Sequence, residues 1–239
     1  MEWQTVAAAL FPLGHNITEQ AALLRGSAQL EAGTIEVIGT CEHTAIGVEI
    51  ALAQAQAVLA TLRDYPQRPI LLLVDTQGQR LRHRDEMLGI NSYMAHLGKC
   101  IEYARQCGHP VLALVYDQAL SGGFITSGMM ADACYALPEA TIRVMGLPAM
   151  ARITKVPQAR LTELAVDNPV FAPGPQNYQR MGAIAQIWQG DLSQALGAAL
   201  AAVDTQDHRI TSGATRGGRK MAQTVVDAVL SETIDWHGD

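Results

Sequence analysis

Two uninterrupted apolar segments, each followed by a glycine turn, constrain the fold of this 239-residue chain most strongly. Residues 70–74 run into Asp75-Thr76-Gln77-Gly78, and residues 111–116 run into a turn that carries Gly122 and Gly123. Continuous apolar runs are typical of parallel strands that are covered on both faces. Parallel neighbours end at the same edge of a sheet, which is where α/β proteins bind ligands. We therefore expect both glycine turns to lie together.

The paired glycines follow the second strand at the point where an apolar helix is expected to begin. Backbone N–H groups in the first turn of a helix lack intrahelical acceptors, and the helix dipole favours negative charge there. Such donors can stabilise an oxyanion that develops during a reaction. The sequence thus predicts an oxyanion hole at Gly122 and Gly123, with one N–H from Gly78 in the neighbouring turn.

The remaining pattern alternates strands and helices through the first 145 residues, which indicates an α/β fold. A β-branched strand is predicted over residues 34–40, a helix over 45–62 with Thr44 as its N-cap, and a long amphipathic helix over 84–106. We expect a single domain over residues 1–239, with a helical extension at 1–33 and helices at 191–239. A proline-rich loop at residues 167–175 is the best candidate for an internal joint.

Charge and composition argue against several classes of function. The net charge of −6 argues against binding to a phosphate backbone, and no apolar run approaches membrane-spanning length. Charged residues make up only 17% of the chain, which indicates a large protein interface. The four cysteines lack the spacing of a disulfide framework, and the N-terminus lacks the basic region of a signal peptide. We therefore predict a cytoplasmic protein with reduced thiols.

Several motifs resemble known families. Ala119-Leu120-Ser121-Gly122-Gly123, with residues 129–136, resembles the oxyanion segment of the crotonase superfamily. Asp75-Thr76-Gln77-Gly78 resembles the Asp-Thr-Pro-Gly turn of biotin-dependent carboxyltransferase subunits, with Gln77 in place of proline. Over residues 35–190 the chain is similar to the gamma subunit of biotin-independent malonate decarboxylase. That likeness is carried by residues 75–80, 84–91, 95–100, 144–146 and 151–154.

The resemblance implies a crotonase-like (ClpP/crotonase) ββα spiral fold with flanking helices, paired with a beta-type subunit. It implies decarboxylation of a malonyl thioester on an acyl carrier protein to the acetyl thioester. An acyl carrier protein subunit and an acyl-carrier transferase subunit are the other implied partners. The substrate would arrive on a phosphopantetheine-type group, with no tightly bound cofactor and no metal. Gly122 and Gly123 match the oxyanion glycines, Gly78 matches the glycine of the other turn, and all three are the implied catalytic positions. The implied substrate contacts are Gln77, Ser121, Phe124 and Tyr178.

The sequence departs from the crotonase pattern at the position of the catalytic acid–base residue. Crotonase hydratases carry a catalytic glutamate shortly after the glycines, whereas this chain has Ile125 and Thr126. Hydration of an enoyl thioester needs an acid–base carboxylate, so a hydratase is not expected. Two alternatives stay open: an alpha-type subunit of a biotin-dependent acyl-CoA carboxyltransferase, and a non-catalytic scaffold for a catalytic beta subunit.

Other reactive side chains are interpreted as structural. Ser121 lacks the Gly-x-Ser-x-Gly elbow of hydrolase nucleophiles. Cys41-Glu42-His43 is not expected to bind a metal, because adjacent strand residues point to opposite faces. The basic residues near the C-terminus, Arg216, Arg219 and Lys220, are interpreted as a solvated loop.

Overall fold

The computed structural model describes residues 1–167, 173–204 and 206–231. Its strands are β1 (Thr18–Gln20), β2 (Leu23–Leu30), β3 (Gly33–Thr40), β4 (Thr44–Ile46), β5 (Ile70–Gln79), β6 (Val111–Leu120), β7 (Ala133–Ala136), β8 (Thr141–Arg143) and β9 (Gln186–Ile187). They form one mixed sheet in the order β1-β2-β3-β5-β6-β7-β9, with β4 beside β5 and β8 beside β6.

The two apolar runs form the centre of the sheet, as predicted. β5 and β6 are parallel neighbours, paired from Ile70 with Val111 to Val74 with Val115. Every residue of both runs is buried, because helices cover both faces of the sheet. A register irregularity after Val74 then brings Thr76 opposite Ala119, so the two turns begin side by side.

Eleven helices flank the sheet within the described residues. They are α1 (Trp3–Leu10), α2 (Val48–Asp64), α3 (His83–Met87), α4 (Ile90–Gln106), α5 (Ser121–Ser127), α6 (Leu147–Thr154), α7 (Gln158–Asp167), α8 (Pro175–Arg180), α9 (Leu192–Ala201), α10 (Arg209–Thr215) and α11 (Ala222–Ser231). None of the helices in the described ranges is both long and apolar enough to traverse a bilayer.

Alternate residues of β5 face two separate cores. Leu72 and Val74 pack in one core with α2 and α4, whereas Leu71 and Leu73 pack in the other with α1 and α9. This alternation follows from the two-residue period of a strand. It matters for the site, because Asp75 and Thr76 consequently face opposite layers.

Three sequence predictions need correction. The segment 1–33 is not a helical extension: after α1 it forms β1 and β2, which pair antiparallel with each other and with β3. Thr44 is not an N-cap, because it starts the short strand β4 and Gly47 precedes α2 instead. The helix over 84–106 is two helices, because Gly89 adopts a left-handed φ of 74° between α3 and α4.

The C-terminal predictions mostly agree with the structure. Helices occur as α9 and α11 within residues 191–231. Helix α11 has no buried residue in this chain. The predicted joint at residues 167–175 lies largely outside the described residues.

Candidate active site

The candidate site lies where the β5 turn meets the start of α5. Gly78 has a left-handed φ of 99°, which a side chain would strain. A Cβ added at Gly78 would lie 2.8 Å from the Cβ of Ser121, and one added at Gly123 would lie 2.8 Å from the carbonyl carbon of Gly78. Both glycines therefore allow the turn and the helix to touch through their backbones.

The N–H of Gly78 is engaged inside its own turn. It donates to Thr76 Oγ1 at 3.0 Å, and the same hydroxyl donates to the carbonyl oxygen of Thr44 at 2.7 Å. Thr76 is fully buried. The structure thus gives Gly78 a packing role, and its predicted role as a donor to substrate stays a prediction.

The N–H of Gly122 has a different kind of acceptor. It donates to the side-chain oxygen Oε1 of Gln79 at 3.1 Å. Gln79 is the last residue of β5 and is only partly buried. An amide side chain of this kind can rotate away, so its oxygen can be exchanged for another carbonyl oxygen at the same N–H.

The N–H of Gly123 belongs to the same helix turn, since Gly123 is the third residue of α5. Only N–H groups beyond the first turn of a helix have intrahelical carbonyl acceptors. Unpaired N–H groups are expected in the first turn of a helix. Gly122 and Gly123 thus offer two adjacent donors, one held by a replaceable side chain.

Ser121 joins β6 to α5 in a left-handed conformation, with φ of 55°. For a non-glycine residue this conformation costs about 1–3 kcal/mol, and such strain is concentrated at functional turns. No hydrogen bond between Ser121 and a histidine occurs among the residues described. The turn therefore lacks the base that a serine nucleophile requires.

The other residues predicted to contact substrate differ in their burial. Gln77 is exposed on the turn, whereas Phe124 is buried with its ring edge-on to Tyr178, 6.4 Å between centroids. Tyr178 lies on α8 and is partly buried, which raises the pKa of its phenol. The structure thus brings Phe124 and Tyr178 together behind the turn, and their contact with substrate stays a prediction.

Asp75, on the opposite face of β5, binds backbone N–H groups of two neighbouring segments. Its carboxylate accepts the N–H of His43 at 2.9 Å and that of Gln118 at 3.2 Å. Burial raises the pKa of Asp75, although the bond from His43 opposes this shift. Sequence reasoning treated Asp75 only as part of a motif and did not identify Gln79 as the acceptor at Gly122.

Comparison with known proteins places the chain in a family. The family model for the malonate decarboxylase gamma subunit matches residues 41–233, which include both glycine turns. The chain belongs to this family. The match confirms the resemblance that the motifs at residues 75–100 predicted.

Solved structures of this family have the same fold. The chain is similar to the Pseudomonas malonate decarboxylase MdcD-MdcE hetero-dimer, with 26% identity, a TM-score of 0.74, and coverage of 95% of this chain and 97% of that one. A Pseudomonas malonate decarboxylase hetero-tetramer in complex with coenzyme A gives a TM-score of 0.77 at 24% identity, covering 94% and 97%. The crotonase-like carboxyltransferase fold predicted from the sequence is therefore confirmed.

Two further relatives use carboxyltransferase chemistry. A malonyl-S-ACP:biotin-protein carboxyltransferase, MADD of Malonomonas rubra, is 36% identical over 151 residues, or 59% of this chain. The chain spans about half of that relative, 52% of its length. Transcarboxylase 12S shares the fold alone, with a TM-score of 0.71, 19% identity, and coverage of 86% of this chain and 42% of that one.

Proposed function

We propose that this gamma-family chain acts with a beta-type subunit to decarboxylate a malonyl thioester on an acyl carrier protein, as a carboxy-lyase. The observation that carries the proposal is the position of Gly122 and Gly123 in the first turn of α5, where their N–H groups are adjacent donors. Only Gln79 Oε1, a replaceable side-chain oxygen, occupies the first of them. The thioester carbonyl oxygen would take the place of that amide oxygen.

The chemistry needs donors more than it needs a nucleophile. When the bond between the carboxylate carbon and the α-carbon breaks, carbon dioxide leaves. The electron pair of the broken bond stays with the α-carbon and forms an enolate with the thioester carbonyl. The negative charge of the enolate rests mainly on the thioester oxygen, and a proton then adds to the α-carbon to give the acetyl thioester. Each preorganised N–H aimed at such an oxygen lowers the barrier by about 2.7–4 kcal/mol.

Completion of the site depends on the partner. Ile125, where hydratases carry a carboxylate, is 49% exposed. Thr126 instead donates its hydroxyl to the carbonyl oxygen of Gly122. Neither residue offers an acid to the enolate, so we assign the proton donor to the beta subunit or to water. An acyl carrier protein would deliver the substrate on its phosphopantetheine-type arm past Gln77 and Ser121, after loading by an acyl-carrier transferase subunit.

Gly122→Val tests the proposal. A Cβ at Gly122 would lie 3.1 Å from Gln79 Oε1 and 3.6 Å from Met94 Cε. Both atoms are ends of flexible side chains, so the fold should tolerate the substitution. The variant is co-purified with the beta subunit and assayed for carbon dioxide release from the malonyl thioester. We expect assembly to persist while turnover falls by about 100-fold or more. Unchanged turnover in an intact complex would refute the role of Gly122.

The similarity to MADD favours a second candidate, transfer of the carboxyl group to a biotin protein. Both reactions form the same enolate, so the glycine turn cannot distinguish them. Adding avidin to the assay does: a malonate decarboxylase of the proposed type keeps its activity, whereas a biotin-dependent enzyme loses it. A photoreactive malonyl thioester analogue tests the scaffold alternative, because labelling of the beta subunit alone would favour it.

A further inference from the structure

Three side chains from separate segments of the sheet converge beside the start of α1. His43 follows β3, Asp75 lies in β5 and Asp117 lies in β6. His43 Nε2 is 3.6 Å from Asp75 Oδ1 and 3.4 Å from Asp117 Oδ2. One ligand atom from each residue lies within 4.8 Å of the others.

The cluster lies on the opposite face of β5 from the residues that pack against Gly122 and Gly123. Asp75 faces the layer that contains α1, and the N-terminal ammonium of Met1 contacts Asp117. The glycine turn instead packs toward Ile46 and Met94. An activity at the cluster is therefore distinct from the chemistry proposed at Gly122 and Gly123.

Asp75 is positioned as a preorganised ligand. It is only 2% exposed, and each of its oxygens accepts a single backbone N–H, which leaves a second lone pair on each. Its partners are more accessible, with side-chain exposures of 24% for Asp117 and 53% for His43. The arrangement therefore combines a fixed, buried carboxylate with two ligands that an ion can reach from solvent.

The spacing agrees with that of a metal-ion coordination shell. Ligands about 2.1 Å from a tetrahedral ion are about 3.4 Å apart. One imidazole and two carboxylates suit borderline divalent ions, and a water can fill the fourth position on the open side. We propose that His43, Asp75 and Asp117 form a binding site for a divalent metal ion, and that Zn²⁺ is the ion that fits this site best.

Such an ion would link the segment before β4 to β5 and β6. It would neutralise two carboxylates and replace the Met1 ammonium at Asp117. Since it binds only the folded arrangement, the ion raises the melting temperature of the chain, and the free energy gained grows with the logarithm of its concentration relative to Kd. The sequence pattern Cys41-Glu42-His43 did not predict this site, because both carboxylates come from other segments, β5 and β6.

The test is calorimetric titration of the chelator-treated full chain with Zn²⁺. All proteins carry Cys107→Ser, since this thiol is exposed and thiolates are ligands of Zn²⁺. His43→Gln and Asp117→Asn remove one ligand each at accessible positions. His208→Gln is the matched control, because His208 forms an exposed pair with Asp204 at 2.7 Å.

We expect one Zn²⁺ per chain, affinity reduced tenfold or more in both ligand variants, and unchanged affinity in the control. Addition of Zn²⁺ should also raise the melting temperature of the parent protein but not of the ligand variants. Circular dichroism verifies that each variant is folded. The proposal is overturned if the parent binds no Zn²⁺ at millimolar concentration, or if His43→Gln and Asp117→Asn bind it as tightly as the parent.

Discussion

Gly78 and Gly123 contact each other backbone to backbone. A Cβ on Gly123 would lie 2.9 Å from the Cα of Gly78 and 3.0 Å from Cγ1 of Ile46. The contact brings the end of β5 against the first turn of α5. The spacing of the candidate donors is therefore set by two residues that have no side chain.

Gly123→Ala should destabilise the chain by about 1–3 kcal/mol, because backbone atoms would have to move to admit the methyl group. Denaturant unfolding of the purified chain measures this loss. Gly197→Ala is the control: Gly197 lies in α9 with open space around it, and alanine there should be neutral or stabilising. Equal stability of the two variants would contradict the backbone contact.

Thr76→Val should also destabilise the fold. The substitution leaves the N–H of Gly78 and the carbonyl of Thr44 without their buried partner. A buried polar group without a partner costs about 1–3 kcal/mol. Thr162→Val, on the exposed face of α7, removes a comparable hydroxyl contact to Gln158 and should change the free energy of unfolding little.

Gln79→Glu should slow the proposed decarboxylation. A carboxylate at this position accepts the N–H of Gly122 more strongly than an amide does and repels the developing enolate. We expect kcat to fall by about tenfold or more, equivalent to about 1.4 kcal/mol. Gln79→Ala should keep most of the activity, since it leaves the N–H of Gly122 free. The control Gln158→Glu introduces the same charge on exposed α7 and should leave kcat unchanged.

Asp85→Asn should change the pH dependence of stability. Hydrogen bonds from Arg82 lower the pKa of Asp85 to about 2, and Asp85 also accepts the N–H of Val48 at the start of α2 at 3.1 Å. Because the folded pKa lies below the ordinary value of 3.8, this stabilisation is complete above pH 3.8 and is lost as the pH falls through about 2. The variant should therefore be less stable than the parent at neutral pH, with the difference shrinking on acidification.

Melting curves between neutral pH and pH 2 measure that difference. Glu163→Gln removes an exposed carboxylate that pairs with Arg160, and serves as the control. A stability difference for Asp85→Asn that stays constant over this range would contradict the assignment.

Several elements could be predicted from the sequence because their signals are local. Residues 70–74 and 111–116 are apolar without interruption, and this pattern alone identified the two central strands. Errors arose where a local signal was ambiguous. The segment 1–33 contains a real helix, but its later residues pair as strands because β3 offers them an edge.

The candidate site was predicted in part. Motif resemblance located both glycine turns and the family, and β5 and β6 are indeed neighbours. Which N–H groups are engaged was not predictable, because Gln79 and Gly122 are 43 residues apart. That contact depends on the register irregularity after Val74, which no local pattern encodes.

The sequence by itself determined the apolar strands, the glycines that permit tight turns, and the family. Those properties depend on side-chain hydrophobicity and on backbone freedom at single positions. Only the tertiary structure decided that Thr76 holds the N–H of Gly78, that Gln79 holds the N–H of Gly122, and that His43 meets Asp75 and Asp117. Each of these contacts joins distant segments, so it exists only once the packing of the sheet has fixed their register.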